Sequence, residues 1–143
     1  MSSATGPRTS GDGNVEHDGN RPLSMLSNEM VRIYKEHFGR GPTKARSHFA
    51  GPNAVICVLE NTFTPAERNL QGMGEHQRLR EMRMFLQYAI AAEFIQAVER
   101  TIGRRVLSFI SGIDTNTDVA VEAFTLESAS PSDDSGDRMA DEN

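Results

Sequence analysis

The feature that most constrains the fold of this chain is the stretch from Arg78 to Arg105, which is long, apolar and free of proline and glycine before Gly103. Apolar residues recur there at every fourth position, the spacing that places side chains on one face of an α-helix. The main row is Met82, Leu86, Ile90, Phe94, Val98 and Ile102, and a flanking row is Phe85, Ala89, Ala92 and Ile95. Gly103 suits a left-handed cap. The sequence therefore predicts one long helix, covered on more than one side by a sheet or a partner chain.

Charge divides the chain into a neutral centre and acidic ends. The 143 residues include 15 Lys and Arg and 20 Asp and Glu, a net charge of −5. Residues 1–21 account for −1, residues 128–143 for −4 and residues 22–127 for zero. Both ends are rich in Ser, Gly and Asp and poor in aliphatic residues, so we predict two disordered tails flanking a domain over 22–127. A neutral domain lacks the basic face that phosphates require, so we expect no nucleic-acid partner.

The reactive residue types are few and dispersed. A single cysteine excludes an intrachain disulfide and a multi-cysteine zinc site. The four histidines show no H-x-x-x-H or carboxylate spacing for a metal. We therefore predict no cofactor, no metal and no enzymatic activity. The chain has no apolar run of 18 residues and no signal peptide, which predicts a soluble cytoplasmic protein without a membrane span.

An apolar run from Val55 to Leu59 predicts a strand buried on both faces of a sheet. Cys57 lies in the middle of that run. His48 is the only nearby base, and one histidine without a third partner makes a poor catalytic dyad. Since buried thiols are usually inert, we expect Cys57 to be a small core residue rather than a nucleophile.

The remaining patterns predict two units of similar order. A helix over 26–38 precedes strands over 45–50 and 54–60. After the long helix, strands are expected over 106–111 and 119–126, the latter with alternation at Val119, Val121 and Ala123. Between the two units, Thr64-Pro65-Ala66-Glu67 is a capping box that starts a short helix.

A shift of 64 residues aligns Phe38-Gly39-Arg40 with Ile102-Gly103-Arg104 without a gap. An α-β-β unit buries its helix and sheet poorly alone, so two copies would share one sheet. The predicted fold is therefore α+β, with two α-β-β units sharing an antiparallel sheet that packs against a long central helix. Because that helix is apolar on more of its circumference than such a sheet covers, we also predict a homodimer.

The Gly39-Arg40-Gly41-Pro42 turn has two interpretations. Two glycines and a proline fix a backbone turn, which is the ordinary way for a helix to end before a strand. Alternatively, exposed amides and the arginine fork form an anion site. The predicted ligand-binding residues in that case are Gly39, Arg40, Gly41, Lys44 and Arg104. The turn lacks the spacing of a P-loop or a dinucleotide fingerprint.

Several segments are similar to those of a known family. They are Asn28-Glu29-Met30-Val31, Gly39-Arg40-Gly41-Pro42-Thr43-Lys44-Ala45, Val58-Leu59-Glu60, Thr64-Pro65-Ala66-Glu67-Arg68 and Val98-Glu99-Arg100-Thr101-Ile102-Gly103-Arg104. Over about residues 24–127 the chain resembles the MpsC-like family of small bacterial domains. That family is named for a sodium-translocating, membrane-potential-generating system, and related neighbours are linked to inorganic-carbon uptake. It has no agreed catalytic residues that could be assigned to positions here.

The resemblance implies a non-enzymatic accessory or regulatory protein that binds a membrane transport complex. The alternative from the residues is a small anion or nucleotide sensor that uses the Gly-Arg-Gly-Pro turn. The first function requires an apolar contact surface, whereas the second requires a charged pocket at the turn.

Overall fold

The computed structural model describes residues 20–129, which form four helices and one four-stranded antiparallel sheet. In chain order the elements are α1 (Arg21–Phe38), β1 (Lys44–Phe49), β2 (Ala54–Glu60), α2 (Pro65–Gly72), α3 (His76–Ala89), α4 (Ala91–Ile102), β3 (Val106–Asp114) and β4 (Val119–Leu126). The strands lie in the order β1-β2-β4-β3. Within residues 20–129 no helix combines the length and apolarity needed to cross a bilayer.

Two α-β-β units share this sheet, as the sequence predicts. The first consists of α1, β1 and β2, and the second consists of α4, β3 and β4. The units meet where β2 pairs with β4. Both leading helices end at a glycine in the left-handed conformation, where the amides of Gly39 and Gly103 bond the carbonyls of Lys35 and Glu99. Only glycine adopts this conformation without strain, so the repeated glycine ends both helices at equivalent points.

The prediction of one long central helix is wrong. The backbone leaves the helical conformation at Ile90 (φ −104°, ψ 20°), which separates α3 from α4. The two halves have different neighbours, because α3 lies along β3 while α4 packs mainly on α1. A straight helix could not follow both surfaces. The break therefore comes from tertiary packing, since the local sequence has no proline or glycine there.

The inward face of α3 also differs from the predicted row. Its buried residues are Leu79, Arg83 and Gln87, whereas Phe85 is 74% exposed and Met82 is also exposed. Of the predicted row, Phe94 and Val98 in α4 are fully buried. The apolar face of the sequence is thus the core face in α4 but not in α3.

The helix layer covers one face of the sheet. In β2, Val55, Cys57 and Leu59 are fully buried beneath the helices, while the residues between them are half-buried on the other face. Within residues 20–129, the expectation that this strand is buried on both faces is therefore wrong. The expectation that Cys57 is a core residue is confirmed.

β4 alternates as the sequence predicts, and the three residues named there lie on the face away from the helices. The core face carries Ala120, Glu122, Phe124 and Leu126, and the predicted residues Val119, Val121 and Ala123 point to the opposite side. Both faces offer apolar side chains, so period-two alternation alone does not identify the face that the helices cover.

Two element boundaries differ from the predicted ones. α1 begins at Arg21 rather than near Leu26, so Arg21 belongs to the helix instead of the predicted N-terminal tail. A proline in the first turn sets this start, because its missing amide is not needed there. β3 extends to Asp114, whose carboxylate accepts the amides of Asn116 and Thr117 and so forms the following turn. Of the two predicted tails, residues 1–19 and 130–143 lie outside the described residues.

Candidate functional site

A group of polar side chains lies in the core between the helices and the sheet. This buried polar cluster consists of Tyr34, Thr62, Glu67, Arg83, Gln87, Ser111 and Glu122. Its members come from α1, α2, α3, β3, β4 and the loop after β2, so the whole fold assembles it. Polar side chains are stable in a core only where hydrogen bonds replace water.

Arg83 is the centre of one half of the cluster. Its guanidinium is fully buried and holds Glu67 through two hydrogen bonds, Nε to Oε2 at 2.7 Å and Nη2 to Oε1 at 2.8 Å. Nη2 also donates to the carbonyl of Thr62 at 2.9 Å. The guanidinium carbon lies 4.2 Å from the ring centroid of Phe38, within range of a cation–π contact. A two-point arginine–carboxylate contact of this kind is among the stronger polar interactions in proteins.

Glu67 also completes the capping box that the sequence predicts at the start of α2. Its side chain accepts the amide of Thr64, and the Thr64 hydroxyl accepts the amide of Glu67. Burial acts to raise the pKa of Glu67, but the hydrogen bonds from Arg83 and Thr64 outweigh it and lower the pKa below the ordinary value. Glu67 is thus ionised at neutral pH, and it forms a closed neutral pair with Arg83.

Glu122 is the centre of the other half. Its Oε2 accepts hydrogen bonds from the Tyr34 hydroxyl at 2.6 Å and from Gln87 Nε2 at 3.4 Å. Its Oε1 has no hydrogen-bond partner among residues 20–129. Burial raises the pKa of Glu122 to about 7, against the opposing effects of Ser111, Tyr34 and Arg83. The charge of this carboxyl therefore changes near neutral pH.

A line of hydroxyl and thiol groups continues from Glu122 toward α1. Cys57 lies opposite Glu122 in the β2–β4 register and accepts a hydrogen bond from Ser47 Oγ at 3.4 Å. Ser47 Oγ is 2.8 Å from Ser27 Oγ on the half-buried side of α1. Burial raises the pKa of Cys57 to about 12, so the thiol is not ionised at neutral pH. Since the thiolate is the reactive form, Cys57 is unsuited to nucleophilic attack.

The cluster can store a proton or stabilise the core, but it is closed to a substrate. The side chains of Arg83, Gln87 and Glu122 are fully buried, so a ligand would reach them only if the helices left the sheet. None of these three residues was predicted as a site residue from the sequence. Two signals indicate them in retrospect: Arg83 and Gln87 follow Leu79 at intervals of four, and Glu122 lies between core residues Ala120 and Phe124 in strict alternation.

Four of the five predicted ligand-binding residues lie together at one end of the sheet. Arg40 Nη1 donates to the carbonyl of Phe63 at 2.5 Å, and Lys44 is exposed with Nζ 4.0 Å from Glu60 Oε1. Gly41 passes close to α1, because a Cβ there would lie 3.0 Å from Val31 Cγ1. Together with the left-handed cap at Gly39, these contacts explain the turn by its own packing. Anion binding at this turn stays a prediction.

Arg104 lies at the opposite end of the sheet. Its guanidinium donates to the carbonyls of Glu127 and Pro52 and to the side chain of Asn53, next to the β1–β2 turn. The structure therefore does not bring Arg104 to the other four residues. Arg40 and Arg104 instead occupy equivalent places in the two units, each bonding a carbonyl that follows the second strand of its own unit.

Three side chains that could bind a metal meet where α1 contacts α4. They are Glu36, His37 and Glu93, whose ligand-type atoms all lie within 4.8 Å of one another. His37 Nε2 is 2.7 Å from Glu93 Oε2, and Glu36 accepts a hydrogen bond from Arg32. The contact between His37 and Glu93 joins the two helices, whereas Glu36 is paired within α1, so these hydrogen bonds account for the group as a polar contact between helices.

The outer side of α3 carries exposed apolar residues. This α3 outer face consists of Met82, Phe85 and Tyr88, which are 38%, 74% and 46% exposed. Two side chains fix the helix beside the outer edge of β3: the Tyr88 hydroxyl accepts the amide of Ser111 at 2.9 Å, and Arg80 Nη1 donates to the carbonyl of Ile113 at 2.8 Å. Arg83 and Gln87 lie on the inner side of α3 with Leu79, so the helix places two polar side chains in the core while three large apolar side chains face solvent.

Comparison with known proteins places the chain in one family. Residues 23–128 match the family model described as Na+-translocating membrane potential-generating system (MpsC). No curated protein and no solved structure matches the chain. The matched residues include both α-β-β units, the buried polar cluster and the α3 outer face. This chain therefore belongs to the MpsC family.

Proposed function

We propose that this protein is a non-enzymatic accessory component of a Na+-translocating, membrane-potential-generating system, and that it binds another protein of that system through the α3 outer face. The observation that carries the proposal is the orientation of α3, which buries Arg83 and Gln87 and leaves Phe85 exposed. The family description supports the identity of the system. The proposal keeps the cytoplasmic location that the sequence predicts.

Contacts that α3 makes with the core and with β3 keep the α3 outer face exposed. Rotation of α3 to bury Phe85 would break the contact between Arg83 and Glu67 and leave the Glu67 carboxylate buried on α2 without its partner. It would also remove the bonds from Tyr88 and Arg80 to β3. Burial of a phenylalanine side chain contributes roughly 1.5–3 kcal/mol, less than the loss of a buried ion pair would remove. Phe85 and Met82 therefore stay at the surface, available to a partner.

Exposed apolar groups of this kind are typical of protein contact surfaces, where a few aromatic residues contribute most of the binding energy. Phe85 is the most exposed large apolar side chain of the described residues. The closed state of the buried polar cluster supports the non-enzymatic part of the proposal, because its ionisable groups do not reach solvent.

The test uses the full-length chain in its native cell. Tagged wild type and Phe85→Ser are purified from detergent-solubilised membranes, and the Na+-dependent membrane potential of the same cells is measured. The control is Met25→Ser, which removes a 48% exposed apolar side chain from α1. We expect the Na+-translocating proteins not to co-purify with Phe85→Ser, and cells that carry this variant to have a lower membrane potential. Met25→Ser should co-purify with the same proteins and leave the potential unchanged. If Phe85→Ser behaves as wild type in both measurements, the α3 outer face is not the binding surface.

A further inference from the structure

The face of the sheet that points away from the helices is apolar at its centre. In one row across the strands, His48, Ile56, Ala123 and Ile110 lie side by side in the order β1-β2-β4-β3. The adjacent row is Arg46, Val58, Val121 and Gly112 in the same order. We call the five apolar residues of these rows, Ile56, Val58, Ile110, Val121 and Ala123, the open sheet face.

No helix of residues 20–129 covers this face. Its residues alternate along the strands with Cys57 and Glu122, which point into the core. Ile110 is 62% exposed, and the four residues of β2 and β4 are half-buried. The open sheet face is thus a free surface of residues 20–129.

A sheet face that stays in water normally carries polar residues in alternation with the core residues. Here β2 and β4 place β-branched aliphatic residues at the outward positions as well. The continuous run from Val55 to Leu59 is typical of a strand that is buried on both sides. Because the helices bury only one side, the apolar residues on the other side indicate a second covering layer, which residues 20–129 do not supply.

We propose that a second copy of this chain covers the open sheet face, so that two sheets pack face to face. Packed antiparallel sheets align within about 30° of each other and lie about 10 Å apart. A two-fold axis parallel to the strands, between β2 and β4, places Val58 against the partner's Val121 and β1 against the partner's β3. Such an arrangement buries the same surface on both chains, as closed dimers require.

The charges at the rim favour a second copy as the occupant. Beyond the apolar rows lies a third row, Lys44, Glu60, Val119 and Asp114. The same two-fold axis sets Lys44 of β1 opposite the partner's Asp114 and repeats the pair by symmetry. Asp114 is held as an anion, because the amides of Thr117 and Asn116 lower its pKa. Lys44 can reach across, since its contact with Glu60 is 4.0 Å long and the two side chains are 51% and 39% exposed.

This interface differs from the one that the sequence suggested. The long helix was expected to supply the dimer contact, but its exposed apolar part is the α3 outer face, on the other layer of the domain. A dimer through the sheets leaves both copies of the α3 outer face accessible. The inference is therefore independent of the proposed function, and either can fail alone.

The first test is the mass of the full-length chain by light scattering at micromolar concentration. We expect about twice the 15.8 kDa of one chain for wild type. Val121→Arg places a charge in the centre of the interface and should give a single-chain mass. Phe85→Arg is the matched control on the other layer and should keep the double mass. A single-chain mass for wild type would overturn the proposal, and so would a folded Val121→Arg chain that keeps the double mass.

The second test maps the contact and does not depend on the folding of Val121→Arg. Chains carrying Val58→Cys are mixed with chains carrying Val121→Cys and treated with a thiol-specific bifunctional cross-linker that spans about 10 Å, the distance between packed sheets, while native Cys57 stays buried. We expect cross-linked heterodimers from this mixture and none from Val58→Cys mixed with Phe85→Cys. Cross-links only in the second mixture, or in neither, would show that the two sheets do not face each other.

Discussion

Replacing Glu122 by glutamine should change how the stability of this protein depends on pH. The folded chain holds the pKa of Glu122 at about 7, against an ordinary value of 4.5. Below pH 4.5 this carboxyl is protonated in both the folded and the unfolded chain. Between pH 4.5 and 7 the unfolded chain releases the proton while the folded chain keeps it, so the free energy of unfolding falls as the pH rises. Above about pH 7 both states are ionised and the contribution becomes constant.

The size of this effect follows from the two pKa values. One pKa unit corresponds to about 1.4 kcal/mol, so a difference of about 2.5 units amounts to roughly 3 kcal/mol of stability lost between pH 4.5 and 7. Glutamine cannot ionise, so this loss should be absent from Glu122→Gln. Its amide nitrogen would occupy the place of Oε1, which has no hydrogen-bond partner among residues 20–129, at a cost of about 1–3 kcal/mol. Glu122→Gln should therefore have a lower free energy of unfolding than wild type at pH 4.5. This difference should shrink as the pH rises to 8, because only wild type loses stability over that range.

Urea unfolding followed by circular dichroism at half-unit intervals from pH 4.5 to 8 measures both curves. Glu81→Gln, which removes an exposed carboxylate from α3, is the control for the loss of a charge alone and should run parallel to wild type. The reasoning is refuted if the difference between wild type and Glu122→Gln is constant across this range. A constant difference would mean that Glu122 is ionised in the core throughout.

Three further substitutions test the other interpretations. Arg83→Met leaves Glu67 buried without its partner and should lower the free energy of unfolding by about 3–5 kcal/mol. Adding Glu67→Gln should restore part of the lost stability. Urea titration of the single and the double variant measures both free energies. Gly41→Ala places a methyl group 3.0 Å from the Val31 side chain and should destabilise the fold by about 1–3 kcal/mol, measured in the same way. An unchanged urea midpoint would mean that the backbone of the turn shifts to accommodate the methyl group at little cost. Arg40→Ala should lower stability by about 0.5–1.5 kcal/mol through the lost bond to a carbonyl. A thermal-shift titration of Arg40→Ala and wild type with phosphate and bicarbonate tests the anion alternative, which requires that an anion stabilise wild type more than the variant.

Local chemistry made several elements predictable. The helix ends at Gly39 and Gly103 and the capping box at Thr64 depend on bonds between residues a few positions apart, which the sequence displays directly. The two hairpins are likewise bounded by turn residues next to their strands. Because the same glycine-arginine pair precedes both hairpins, the α-β-β repeat and the shared sheet followed from the order of elements alone.

The buried polar cluster could not be located in this way. Arg83 and Glu67 lie 16 residues apart, and Tyr34 and Glu122 are separated by 88. Isolated in the sequence, an arginine on a helix and a glutamate on a strand are most simply interpreted as solvent-exposed. Their burial is possible only because partners from distant elements satisfy their hydrogen bonds at the same place.

The sequence by itself determined where helices and strands end, and that two similar units build one α+β domain, because caps and turns are short-range. Only the tertiary structure decided which side of each element is the core side. α3 turns Arg83 inward and Phe85 outward, and β4 turns Glu122 inward and Val121 outward. Periodicity defines two faces but does not distinguish them when both are partly apolar. The distinction comes from the pairing of Arg83 with Glu67 and of Glu122 with Tyr34, since removing these partners from each other would leave polar groups buried without hydrogen bonds.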